Sequence, residues 1–300
     1  MLHGIALGMD GALWFHEGPA NKIGRMTVAG VLSEFPVPTG TTDPTAQGFL
    51  AVAADGAIWF TEDLRANRVG RLKDGQFAEF ALPTPDARAL GFAAGPDGAM
   101  WFTESAGNKV GRITADGRVT EYPTPSGAPL GIVAGPDGAM WFTENAACRL
   151  GRIAMDGHIT EFQIGPEFVA PAGATSPGAP TPTPLRAGCL RLALGPDGAF
   201  WVSERNRDVI ARVSTDGKVT EFPLPAGMGP IGITAGPDGA IWFAASISNE
   251  IGRLSLDGRL TRFSVPTPSS LPYHIVSGSD GNIWFTEQDA NKIGKLRIQR

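Results

Sequence analysis

The chain has 300 residues and a formal net charge of −5, from 30 acidic and 25 basic side chains. These charges are spread without runs, so no basic stripe exists to follow a phosphate backbone and no nucleic-acid partner is expected. No charged-then-apolar leader opens the sequence and no apolar run nears the roughly 20 residues that span a bilayer, so no membrane partner is expected either.

The first element in chain order is a short apolar segment at residues 2–7, followed by an Asp10-Gly11 turn and a second apolar segment containing Trp14 and Phe15. The same Asp-Gly-x-x-Trp pattern returns at Asp55, Asp97, Asp137, Asp197, Asp238 and Asp280, and it holds all seven tryptophans of the chain. The spacing is about 42 residues, with one longer interval between Trp141 and Trp201, and periods of this size made of several short strands mark β-propellers.

Within one unit, residues 130–134 read as a strand, 135–138 as a turn, 139–144 and 149–154 as two further strands, and 159–162 as a fourth after an Asp156-Gly157 turn. The sequence therefore predicts an all-β fold: one domain over residues 1–300, a seven-bladed propeller of four-stranded antiparallel blades. The fourth strand can be found only six times, at 31–35, 77–80, 119–122, 159–162, 219–222 and 260–263. The closing blade is thus expected to lack its outer strand, leaving an open edge near 293–298 through which the protein could self-associate. Residues 163–188 form a Pro/Gly/Ala-rich insertion between blades four and five, read as a surface loop, with a lid over the channel mouth as the alternative.

Polar residues that recur in nearly every blade are read as architecture. Glu17, Glu62, Glu104, Glu144, Glu204 and Glu287 follow the tryptophans, and the basic positions Arg25, Arg71, Arg112, Arg152, Arg212, Arg253 and Lys295 are expected to pair with them. The two cysteines, Cys148 and Cys189, show neither C-x-x-C spacing nor a disulfide framework, which suits a reducing cytoplasm.

Function is sought where the repeat departs from itself. The position entering each innermost strand, some seven residues before the repeated Asp, reads His3, Gln47, Leu90, Leu130, Leu190, Ile231 and Tyr273. This largely apolar ring suits a small-molecule site at one mouth of the channel, with His3 and Tyr273 adjacent once the ring closes. One residue further on, Arg191 and His274 replace the usual glycine, and His274 is expected to face away from Tyr273 because strand residues alternate. His16 stands where Thr usually precedes the repeated Glu. No Ser-His-Asp order, phosphate loop or H-E-x-x-H is present.

The repeated GPDGAMWFTE, NKIGR and GRVTEYPTP segments resemble the streptogramin lyase, or virginiamycin B lyase, family over essentially the whole chain. The resemblance implies a seven-bladed propeller that linearises a cyclic depsipeptide antibiotic by elimination at its ester, assisted by magnesium and conferring antibiotic resistance. Such chemistry needs a base for an α-proton and a cation for the developing enolate. Of the family's two strand-entering histidines, only the His3-Gly4-Ile5 context is kept, which makes His3 the candidate catalytic base. At the positions of the family's metal-holding glutamate stand Gly18 and Gln288, so the metal ligands are not assigned. The competing reading is a non-catalytic propeller that binds a small molecule, a cyclic peptide or a protein at the same mouth.

Overall fold

Each Asp-Gly pair makes a tight turn because its glycine adopts a left-handed backbone that side chains disfavour, as at Gly98 (φ 77°) and Gly138 (φ 74°). The turns join antiparallel strands in a computed structural model that describes residues 1–39, 48–62, 67–165 and 188–298. Seven sheets result, six of four strands and a last one of three. In blade three, Ala89–Ala94, Met100–Glu104, Lys109–Ile113 and Val119–Pro123 pair in chain order. The first strands of successive blades lie side by side around the centre, and that of blade seven meets that of blade one, which closes the ring.

The tryptophans fill the spaces between blades. Trp101 packs with Ile132, Met140 and Phe142 of blade four, and Trp284 of blade seven packs with Leu13 and Phe15 of blade one. Each tryptophan of the first six blades also stacks on an aromatic ring of its own fourth strand, for example Trp141 on Phe162 with centroids 5.4 Å apart. The phenylalanine that follows occupies the place of a missing side chain: a Cβ added to Gly111 would lie 2.2 Å from the ring of Phe102. That contact explains the glycine in the Asn-Lys-x-Gly-Arg stretch.

Blade seven consists of Pro272–Ser277, Ile283–Glu287 and Lys292–Leu296, and among the described residues no strand pairs with its outer edge. Trp284 consequently has no fourth-strand ring to stack on, and Nζ of Lys295 lies 4.8 Å from its centroid. Beyond the strand, Ile298 donates its backbone N–H to Asn282 Oδ1 at 3.1 Å.

The recurrent arginines do not pair with the recurrent glutamates, contrary to expectation. Their partner is the Asp of the turn: Arg112 Nε lies 2.6 Å from Asp97 Oδ2, and the same bond recurs from Arg152 to Asp137 and from Arg253 to Asp238. Register is the cause. Trp101 sits opposite Arg112 across two strands, and its indole N–H donates to Asp97 Oδ1, so one carboxylate serves both side chains. The glutamates instead face a second carboxyl from the fourth strand. Burial, and then the neighbouring Glu121, push Glu104 up to about 8. Burial and Glu161 do the same to Glu144, also to about 8. In blade five the glutamate meets an arginine, Glu204 with Arg207 at 2.6 Å.

The cysteine reading is also corrected. Cys148 and Cys189 form a disulfide with Cα atoms 5.2 Å apart, which ties blade four to the start of the innermost strand of blade five. Cys148 occupies the left-handed position that Asn108 occupies in blade three. There Asn108 Oδ1 accepts the N–H of Ala128 and clips the next blade by a hydrogen bond. In blade four the clip is covalent, and the argument from cysteine usage to a reducing compartment loses its basis. The inserted segment that the sequence places at 163–188 lies mostly outside the described residues.

Candidate functional site

Six of the seven innermost strands carry a bulge just after their first residue, as between Pro129 and Ile132 or between Pro272 and Ile275, and blade two shows none among the described residues. A bulge breaks the two-residue alternation, and its backbone is anchored by a hydroxyl from the second strand. Thr103 Oγ1 accepts the N–H of Gly91 at 2.8 Å and donates to the Leu130 carbonyl of the next blade at 2.8 Å. Thr143 reaches the Leu190 carbonyl, Ser203 that of Ile231, and Thr286 that of His3. The residues predicted to ring the mouth thus lend their carbonyls to blade-to-blade stitching. Leu90 and Ile231 are buried, while Leu130, Leu190 and Tyr273 are half-buried.

Blade one has His16 in place of the threonine, and its imidazole packs where a side chain on Gly48 of blade two would stand. His16 is a packing residue, held neutral by burial at about 3. In blade two the ring position falls one residue later than Gln47. Leu50 pairs with Phe60 as Ile5 pairs with Phe15, so the position equivalent to His3 is Gly48. Gln47 precedes it and lies outside the described residues.

The wall of the central cavity, about 380 Å³, comes from the next position along: Phe49, Gly91, Gly131, Arg191, Gly232 and His274 all line it. Three of these carry side chains, and the three meet. The Arg191 guanidinium lies 4.2 Å from the centroid of Phe49, and the His274 ring lies 5.2 Å from the same centroid. His274 does not face away from Tyr273 as alternation would require. The bulge brings the two rings into a stack with centroids 5.3 Å apart and planes 20° apart. Arg191 Nη1 also lies 3.4 Å from the Leu130 carbonyl oxygen.

His3 stands at the seam between blades seven and one, 1% exposed. Its ring meets the edge of Tyr273 with centroids 6.1 Å apart, and its Nδ1 lies 3.2 Å from Gln288 Nε2. Burial lowers the imidazole to about 4, so it is neutral at pH 7 and a weaker base than a free imidazole. The Gln288 amide selects the tautomer: an amide N–H directed at Nδ1 leaves the ring proton on Nε2, and the turned amide frees Nε2 as the base.

The side chains around His3 do not fit magnesium. That ion takes oxygen ligands in a near-octahedral shell and is commonly held through carboxylates, whereas the side-chain partners of His3 are an amide and a phenol. Among the described residues the one group of three potential ligand side chains is Cys148, Cys189 and Glu204, between blades four and five, and its sulfurs are joined to each other. Sequence reasoning marked Arg191, His274 and Gln288 as departures from the repeat without grouping them. Phe49 carries the same signal, standing six before Asp55 as Arg191 stands six before Asp197, but placing the blade-two ring at Gln47, one residue early, hides it.

The chain is thus a seven-bladed propeller with His3 at its closing seam and Phe49, Arg191 and His274 on the wall of its central cavity. The sequence profile of the virginiamycin B lyase family matches residues 2–181 and 179–300, and the chain belongs to this family. It is similar to virginiamycin B lyase from Staphylococcus aureus, at 36% identity and a TM-score of 0.86, over 99% of this chain and 95% of that one. It is also similar to a catalytically inactive histidine-to-alanine variant of the S. aureus enzyme with quinupristin, at 34% identity and a TM-score of 0.85, over 99% of this chain and 95% of that one. Virginiamycin B lyase from Nocardia farcinica is 32% identical over 124 residues, which is 40% of each chain.

Proposed function

We propose that the protein linearises an ester-closed cyclic peptide of the streptogramin B type by elimination, with His3 as the base. The observation that carries this reading is the neutral His3 imidazole, oriented by Gln288 against Tyr273 at the closing seam. His3 takes the α-proton of the residue whose side-chain oxygen closes the ring, and the Tyr273 phenol hydrogen-bonds the carbonyl oxygen on which charge develops. The Cβ–O bond then breaks, leaving a double bond in the peptide and a free carboxylate, with no water consumed. The likeness to a lyase structure holding quinupristin supports the substrate class. Because the residues around His3 do not suit magnesium, no step is assigned to a metal.

A second reading is favoured by one observation. At 1% exposure His3 meets a substrate only when its neighbours give way, and Gln288 supplies no carboxylate, so the protein would bind such a peptide without opening it. The two readings separate when the purified protein is incubated with quinupristin, in EDTA and in magnesium chloride, and the cyclic peptide is followed chromatographically. The lyase reading expects ring opening by the wild type in both buffers and a loss of roughly 10²- to 10⁴-fold in His3→Ala. Saturable binding without ring opening by folded wild type would establish the second reading in its place.

A further inference from the structure

The ring of residues six before each repeated Asp is glycine in four blades, Gly4, Gly91, Gly131 and Gly232, and a side chain in three, Phe49, Arg191 and His274. The glycines mark close approach: a Cβ on Gly131 would lie 3.2 Å from the Arg191 Cα, and one on Gly232 would lie 2.9 Å from the His274 Cα. The chain has therefore kept three side chains together in a crowded ring. One of them is a cation, and it has no carboxylate partner among the described residues.

Arg191 lies in a cavity whose other walls are aliphatic or aromatic, including Ile5, Leu50, Ile132 and Ile275. Its partners are neutral: the Phe49 face at 4.2 Å and the Leu130 carbonyl at a long 3.4 Å. A guanidinium carries five N–H donors in a planar fork that matches a carboxylate, and a cation withdrawn from water without a counter-charge is costly. Nearby, the buried Nε2 of His274 also has no hydrogen-bond partner. A single carboxylate between them would neutralise the guanidinium and accept a bond from the imidazole. Both side chains are half-buried, so the place is reachable from solvent.

We propose that Arg191, with Phe49 and His274, forms a receptor in the central channel for a small aromatic or aliphatic carboxylate. The guanidinium holds the carboxylate and the apolar channel wall holds the ligand body. This site stands on the charge balance of the channel and does not depend on whether His3 performs elimination.

The probe is benzoate, with benzamide as its neutral isostere and N-acetylphenylalanine as a carboxylate at the end of a peptide, each titrated into the full chain by calorimetry and by thermal shift. Wild type is expected to bind benzoate on the order of tenfold more tightly than benzamide. Arg191→Met and Arg191→Gly, the second restoring the residue of four other blades, are expected to lose that preference while melting no lower than wild type without ligand. Binding of N-acetylphenylalanine in place of benzoate assigns the receptor to peptide termini, and binding of both assigns it to carboxylates in general. Equal affinity for benzoate and benzamide overturns the proposal, as does an Arg191→Met protein that keeps the preference. Variants that melt well below the ligand-free wild type would also overturn it, because Arg191 would then be a strut of the ring.

Discussion

Gln288 holds its amide nitrogen 3.2 Å from Nδ1 of His3, across the seam where blade seven meets blade one. The contact joins the second strand's end in the last blade to the innermost strand of the first, so the geometry of the proposed base depends on ring closure. Thr286 strengthens the same seam by donating to the His3 carbonyl at 3.2 Å.

Replacing Gln288 by Glu places a carboxylate beside an imidazole that burial holds at about 4. The opposite charge favours the protonated ring, and the His3 value is expected to rise by about 1–3 units. Nitrogen-15 chemical shifts of the histidines against pH report this directly. An unmoved His3 titration would show that the two side chains are not in contact in solution.

The paired carboxyls between blades give stability a definite pH dependence. Glu104 rises from its ordinary 4.5 to about 8 through burial and then Glu121. A group whose folded value is raised contributes stability in full below 4.5 and loses it as pH rises toward 8. Glu121 is shifted the other way, because hydrogen bonds from Lys109 and Thr84 outweigh its burial, and it loses stability as pH falls below its ordinary value. Melting temperature should therefore peak in mildly acidic solution and decline through neutrality, and Glu104→Gln should flatten the alkaline limb. A melting temperature that climbs between pH 6 and pH 9 contradicts the raised Glu104 value.

Asp97→Ala removes the acceptor of the Trp101 indole N–H and of Arg112 together. The arginine stays partly solvated and its surface pairing contributes little. The indole is fully buried, and leaving its N–H without a partner costs about 1–3 kcal/mol. Denaturant unfolding of this variant beside Arg112→Ala checks the division, the aspartate change being the more damaging. Equal losses would place the energy in the ion pair.

The Cys148–Cys189 bridge closes a sequence separation of 41 residues, for which chain entropy gives on the order of 4 kcal/mol. The Cys148→Ala/Cys189→Ala double variant should unfold at lower denaturant concentration, and a reducing agent should bring wild type down to the same midpoint while leaving the variant unmoved. A wild type indifferent to reduction would mean the bridge does not form.

The blades were legible because their signals are local: an Asp-Gly turn and a tryptophan at a fixed offset specify one hairpin, and repetition multiplies the evidence. The three-stranded sheet of blade seven among the described residues followed from the same counting. What escaped was set by register and spacing across blades. The partner of Arg112 depends on its standing opposite Trp101, which sequence adjacency does not reveal. The stack of Tyr273 on His274 depends on a bulge, and Phe49 is overlooked once Gln47 is taken for the position seven before Asp55, which is Gly48. Cys148 and Cys189 sit on neighbouring blades, but the long insertion between them conceals the proximity.

Mass spectrometry of quinupristin after incubation with the wild-type protein tests the central claim most directly, because elimination, hydrolysis and mere binding leave different masses and fragments. Elimination yields a linear peptide of unchanged mass with a new double bond and a free carboxylate, and that is the expected product, absent with His3→Ala. A product heavier by one water, or a peptide that stays cyclic in the presence of folded protein, contradicts it.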